Sequence, residues 1–200
     1  MHKMKLALPA LMLFLIACSG EDKQVLIMSS GTIKVSGNTI TVEPSTRHNE
    51  QKISVSEDKL NIVSPDGNSE VAVNNGGGLY ILNLKTDTLI GSYQHIGEQG
   101  ESVKITQEDL RMRIDSLQQL TKGTNVNSEK RNFFIPPRQI SKISANGQAQ
   151  VVGPYLKMPA SFESGKEHEV YKFYTNKEVY EIIDKLKPMA GEEPVKEPAR

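Results

Sequence analysis

The 200 residues contain no tryptophan and one cysteine, Cys18. A lone thiol excludes an internal disulfide, and it excludes the cysteine-rich ligand sets of structural zinc sites. Without tryptophan, any flat aromatic platform for a sugar must be built from tyrosine. Histidine is equally scarce: beyond His2 there are only His48, His95 and His168, and Glu167-His168-Glu169 lacks a second histidine at helical spacing. Glycine-rich phosphate loops and a Gly-x-Ser-x-Gly elbow are also missing, so no cofactor, metal or catalytic residue is expected. Lys and Arg number 24 against 24 for Asp and Glu. Such a balance gives no electrostatic footprint for nucleic acid and none for broad adhesion to anionic lipid. No apolar run reaches the roughly 20 residues that span a bilayer as a helix.

What the chain does have is a distinctive beginning. Residues 1–5 carry two lysines and a histidine, and residues 6–17 are an uncharged apolar run of 12, interrupted only by Pro9. A basic segment, a short apolar core and small residues before a cut site are the parts of a secretory signal peptide. A buried helix of a globular domain would show a polar stripe, and this run has none. Cleavage after Ala17 leaves Cys18 as the first mature residue, exported and without a thiol partner.

Leu15-Ile16-Ala17-Cys18 resembles the bacterial lipobox, in which an aliphatic residue and small residues precede a lipid-modified cysteine. The resemblance implies a diacylglycerol on the Cys18 sulfur, cleavage before it and acylation of the freed amine. Two or more acyl chains hold a protein stably on a membrane, where one myristoyl-sized chain binds only marginally. Ser19 rather than Asp follows the cysteine, which by the same resemblance argues against retention in the inner membrane. Glu21-Asp22 resembles the acidic export signal of surface lipoproteins. The chain as a whole is similar to small outer-membrane lipoproteins of Bacteroidota-type bacteria, and the resemblance places it on the outer membrane, with periplasmic and surface faces both open.

Removal of residues 1–17 leaves 183 residues with 22 basic and 24 acidic side chains, enough for one domain with a real core. From 25 to 105 the pattern is short alternating runs split by turn residues, such as Thr32-Ile33-Lys34-Val35, Gly37-Asn38 and Thr39-Ile40-Thr41-Val42. Period-two alternation puts Ile33, Val35, Ile40 and Val42 on one face. Pro65-Asp66-Gly67-Asn68 is turn chemistry. The prediction is an antiparallel β-meander in the N-terminal half. From 106 to 187 the style is mixed. Thr106 opens a helix with Leu110, Ile114, Leu117 and Leu120 at helical spacing and Gly123 as its stop, and Thr175-Asn176-Lys177-Glu178 is a capping box before Val179, Ile182, Ile183 and Leu186. A strand is expected over 169–174.

The fold class is therefore α+β: a meander covered by two amphipathic helices and an aromatic-rich C-terminal half. Residues 1–17 are the signal, 18–24 the lipidated end and a tether of at most about 20 Å, 25–187 one domain, and 188–200 a disordered tail.

Eight of the ten aromatic residues after Cys18 lie between 133 and 180, and Arg131-Asn132-Phe133-Phe134-Ile135-Pro136-Pro137-Arg138 is extended around its prolines. Two readings stay open here: the densest part of the core, or a ligand or partner surface in which Phe133 and Phe134 are exposed beside Arg131 and Arg138. Ser56-Glu57-Asp58-Lys59 matches the Ser-x-x-Lys nucleophile motif, but it falls in a predicted hairpin and neither companion motif follows. The expected function is a non-enzymatic, membrane-anchored binding or accessory module of the bacterial envelope, with the membrane and an envelope protein as partners. The alternatives are an envelope hydrolase whose site forms on folding from residues such as His95, Glu98 and Glu101, and a structural surface-coat component.

Overall fold

A computed structural model of the chain describes residues 22–94, 105–127, 129–157 and 168–192. The signal segment, Cys18 and residues 193–200 lie outside the described residues. The chain is mixed, mostly strands in two sheets with two helices.

Strand β1 (Lys23–Ser36) carries apolar residues on both faces: Val25 and Ile27 point one way, Leu26 and Met28 the other, and all four are buried. A strand of that kind belongs in the middle of a sheet with layers on both sides. It pairs antiparallel with β2 (Thr39–Val55) and parallel with β5 (Gly78–Leu84). Strands β3 (Lys59–Ser64) and β4 (Gly67–Ala72) form the hairpin expected at Pro65-Asp66. With β8 (Gln139–Ser144) the order of the first sheet is β4-β3-β2-β1-β5-β8.

The predicted meander is corrected in two respects. β1 with β5 and β2 with β3 are parallel pairs: three strands, β2, β3 and β4, intervene between β1 and β5, and the bend within β2 returns the chain so that β3 runs beside its first residues. Residues 39–42 and 53–55, read as separate runs, belong to a single 17-residue strand. That strand is bent where its register with β1 shifts between Ser30 and Gly31, leaving Ser45, Thr46 and Arg47 unpaired opposite the bend. Gly31, at φ +142, is required there: a Cβ would stand 2.1 Å from the Glu43 carbonyl oxygen.

The first sheet curls until its two edge strands approach. Arg138 spans the seam, donating to the Gly67 carbonyl at 2.9 Å and the Ser69 hydroxyl at 3.1 Å. Inside the curl Val25, Ile27, Ile40, Leu60, Ile62, Tyr80 and Leu82 form one core.

The second sheet has the order β7-β6-β10-β9, formed by β6 (Leu89–Gln94), β7 (Asn132–Ile135), β9 (Gln150–Val152) and β10 (Val170–Thr175). One of its faces sets Leu89, Phe133, Ile135, Tyr171 and Phe173 against Leu26, Met28, Leu79 and Ile81 on the outside of the first sheet. Gly91 lets that layer close, since a Cβ there would meet the Phe173 ring at 2.4 Å. Ile90, Phe134 and Tyr174 on the other face meet Leu110, Ile114 and Leu120 of α1 (Gln107–Thr121) and Val179 and Ile183 of α2 (Asn176–Met189). The helices therefore lie behind the second sheet rather than directly on the first.

Both helices begin with reciprocal capping boxes, Thr106 with Asp109 and Thr175 with Glu178. The sequence places the end of α2 before Pro188, but the helix continues to Met189, and Ala190 is fully buried beyond it. The ring of Pro188 is carried in the last turn of α2 rather than in a tail.

Candidate functional site

Among the described residues β8 pairs only with β5, and its other edge borders a groove of about 650 Å³. Its opposite wall comes from the second sheet: Arg131 just before β7, Phe133 within it, Glu169 just before β10 and Tyr171 within it. Arg131 sits at φ +53, a left-handed backbone that costs an L-residue about 1 kcal/mol or more. That conformation turns the chain into β7, where Tyr93 N–H donates to the Arg131 carbonyl at 3.1 Å.

The guanidinium of Arg131 lies over the Tyr93 ring, 3.9 Å from its centre, and pairs with the Glu169 carboxylate. The same carboxylate accepts from the Tyr171 hydroxyl at 2.6 Å and the Ser144 hydroxyl at 2.8 Å. Burial of the Tyr171 phenol, reinforced by the neighbouring Glu169 charge, pushes its pKa up to about 12. Three donors converge on one carboxylate, so β8, β7 and β10 are locked together by a polar bolt at the edge of an otherwise apolar layer. Towards solvent, Lys142 of β8 reaches across to the Asn75 carbonyl at 2.6 Å. The groove thus offers a charged, hydrogen-bonding rim over a floor that includes the edge of Phe133.

The four residues named from the sequence are not brought together. Arg131 and Phe133 line the groove, but Phe133 is 8% exposed and packs against Tyr171 and Phe173, at ring-centre distances of 5.7 Å and 6.1 Å. Phe134 points to the opposite face, against the helices. Arg138 is committed to the seam with β4. Glu169, considered in the sequence only beside His168 as part of a motif that lacks a second histidine, is the centre of the network. Its only signal is position: the carboxylate immediately ahead of a strand of alternating aromatic residues.

A second constellation had no signal in the sequence. Lys85, whose side chain is 2% exposed, donates to the Ser29 carbonyl at 2.6 Å. Its ammonium lies 3.1 Å from His48 Nδ1 and 3.3 Å from Glu50, and 3.9 Å from the centre of the Tyr155 ring, which itself stacks on His48 at 4.1 Å. The Glu50 oxygen is near enough for ion pairing without being aimed as a hydrogen bond. Burial pushes the lysine pKa down against the opposing pull of Glu50. The Tyr155 ring covers the amine, so this cluster pins the bend of β1 and β2 to the loop after β9.

Ser56 and Lys59 flank a bend rather than opening a helix, and Lys59 is paired with Glu70 at 2.7 Å. His95, Glu98 and Glu101 lie outside the described residues. Among the described residues, no group of three or more His, Cys, Asp or Glu side chains is placed to hold a metal ion, and no helix is long and apolar enough to cross a membrane. No family model, curated protein or solved structure matches the chain.

Proposed function

We propose that the chain is a lipid-anchored, non-enzymatic binding or accessory module of a bacterial envelope, held on the outer membrane through Cys18, with the β8 groove as its recognition surface. The observation that carries this reading is the junction between the lipobox-like segment and the fold. Lys23 already belongs to β1, and the Asp22 carbonyl accepts the Gly78 N–H at 3.0 Å. Three residues, 19–21, separate Cys18 from Asp22, and a stretch of that length spans at most about 10 Å at roughly 3.3 Å per residue. A domain held that closely has its orientation to the membrane set by its central strand.

The groove lies at the same end. A Cβ built on Gly147, next to the groove residue Asn146, would stand 3.7 Å from the Asp22 carbonyl. A partner in the groove would therefore be presented near the bilayer, which fits an accessory subunit of a membrane assembly. The test is metabolic labelling with palmitate and fractionation of the full-length chain beside its Cys18→Ser variant. Label and membrane retention that both vanish in the variant support the anchor. Equal membrane retention of the two chains overturns it.

A further inference from the structure

Among the described residues the sheet order ends at β8, which is bonded on one side only, by β5. In such a strand the N–H and C=O groups of every second residue point away from the sheet and seek partners. The far edge of the curled sheet does not supply them along the whole length of β8: β4 meets it through the Arg138 side chain at one end, while residues 140–146 line the groove. Six residues of β8 give about 20 Å of edge at 3.3 Å per residue. The register shift between Leu79 and Tyr80 twists the strand just where the groove is.

The charges of the groove are not balanced. Glu169 is consumed by Arg131, Ser144 and Tyr171. Lys142 rests on the Asn75 carbonyl, and among the described residues no carboxylate pairs with it. The Lys142 ammonium, which also lies 5.9 Å from the centre of the Tyr80 ring, thus stands on the edge strand without a carboxylate partner among the described residues.

Resting on the accessory-module reading and deepening it, we propose that the partner is an extended acidic segment of another polypeptide that adds to β8 as a further strand. Its backbone completes the hydrogen bonds of the β8 edge, alternate side chains face the Phe133 and Ile143 floor, and an aspartate or glutamate meets Lys142. Main-chain pairing supplies the affinity in this mode and side-chain pockets the specificity. A second copy of this chain is the poorer occupant, because β8 would set Lys142 near Lys142 across a twofold axis.

The experiment is selection from a randomised ten-residue peptide display library on the full-length chain in detergent micelles. The expected result is enrichment of peptides with alternating apolar residues and at least one acidic residue. A capped synthetic peptide of the enriched sequence should bind at least tenfold more weakly when its alternate backbone amides are N-methylated. Its affinity should also fall about tenfold with Lys142→Glu, and it should slow hydrogen exchange at β8 amides in the unmutated chain. No enrichment, binders indifferent to N-methylation, or protection confined to another strand overturns the proposal, as does self-association of the chain through β8. The anchor reading fails separately: a chain that does not fractionate with membranes leaves a positive selection standing, while a membrane-bound chain with a negative selection overturns the strand-addition proposal alone.

Discussion

Lys85 and Tyr155, 70 residues apart in the chain, meet with the ammonium 3.9 Å from the ring centre, and His48, stacked on the same ring at 4.1 Å, stands 3.1 Å from that ammonium through its Nδ1. A buried ammonium is tolerated only where its surroundings compensate it, and here Glu50 is the one anion that pairs with it among the described residues. Glu50→Ala is expected to destabilise the fold by about 3 kcal/mol, since it leaves an uncompensated charge. Adding Lys85→Met to that variant should recover most of the loss. Urea melts of the two single variants and the double variant check this, and a double variant no more stable than Glu50→Ala refutes it.

The same lysine makes stability depend on pH. Its folded-state pKa lies below the ordinary 10.5, so the unfolded chain holds the proton more tightly. Stability therefore rises with pH as the folded-state amine loses its proton, until the unfolded-state value is passed. In Lys85→Met this rise should be absent, as measured by denaturation midpoints at successive pH values up to about 10.

Tyr171 works in the opposite direction. Its folded pKa, about 12, is above the ordinary 10.0, so its contribution is fully present below pH 10 and is lost as pH rises towards 12. Tyr171→Phe should abolish that alkaline loss. It also removes one of the three donors to Glu169, at a cost of about 1–2 kcal/mol near neutral pH, measurable in the same melts.

Arg138 holds the seam of the first sheet through Gly67 and Ser69. Arg138→Ala is expected to cost about 1–2 kcal/mol and to speed hydrogen exchange selectively in the β3–β4 hairpin. Arg138→Lys should restore little, since a point ammonium does not reproduce the fork, whose Nη2 donates to Gly67 and Ser69 while Nη1 reaches the Ser64 hydroxyl at 3.4 Å. Uniform acceleration across all strands would show that the seam is not the part that opens.

Gly91→Ala should be among the most damaging small substitutions, because its Cβ would stand 2.4 Å from the Phe173 ring in a packed layer. A loss of about 2–3 kcal/mol is expected from overpacking. Phe173→Leu in the same chain should lose less than the sum of the two single effects, because the smaller side chain vacates the contested volume.

The parts of this fold that are legible in the sequence are those fixed by neighbours in the chain. Both capping boxes lie within four residues, and the Pro65-Asp66-Gly67-Asn68 turn dictates its own hairpin. Alternation likewise reveals which residues of β2 and β3 share a face. It carries no information on partner choice, so the parallel pairing of β1 with β5, across some 55 residues, was invisible. The groove was half legible. Arg131 stands out by its company of aromatic residues and prolines, whereas Glu169 gains its role only when β10 is laid beside β6 and its carboxylate meets a residue 38 positions earlier. Pro188 misleads for another reason: it gives up one N–H bond to the turn before it, but α2 ends one residue later at Met189, so little of the ladder is lost.

Strand β1 is also a load path. A pull applied to the chain ahead of Asp22 runs along the axis of β1, between β2 and β5. Such a force shears two ladders at once instead of unzipping bonds one at a time, so the whole array of hydrogen bonds resists together. A domain loaded in this way yields last at the strand that bears the tension, and its outer elements stay in place while that strand carries the strain.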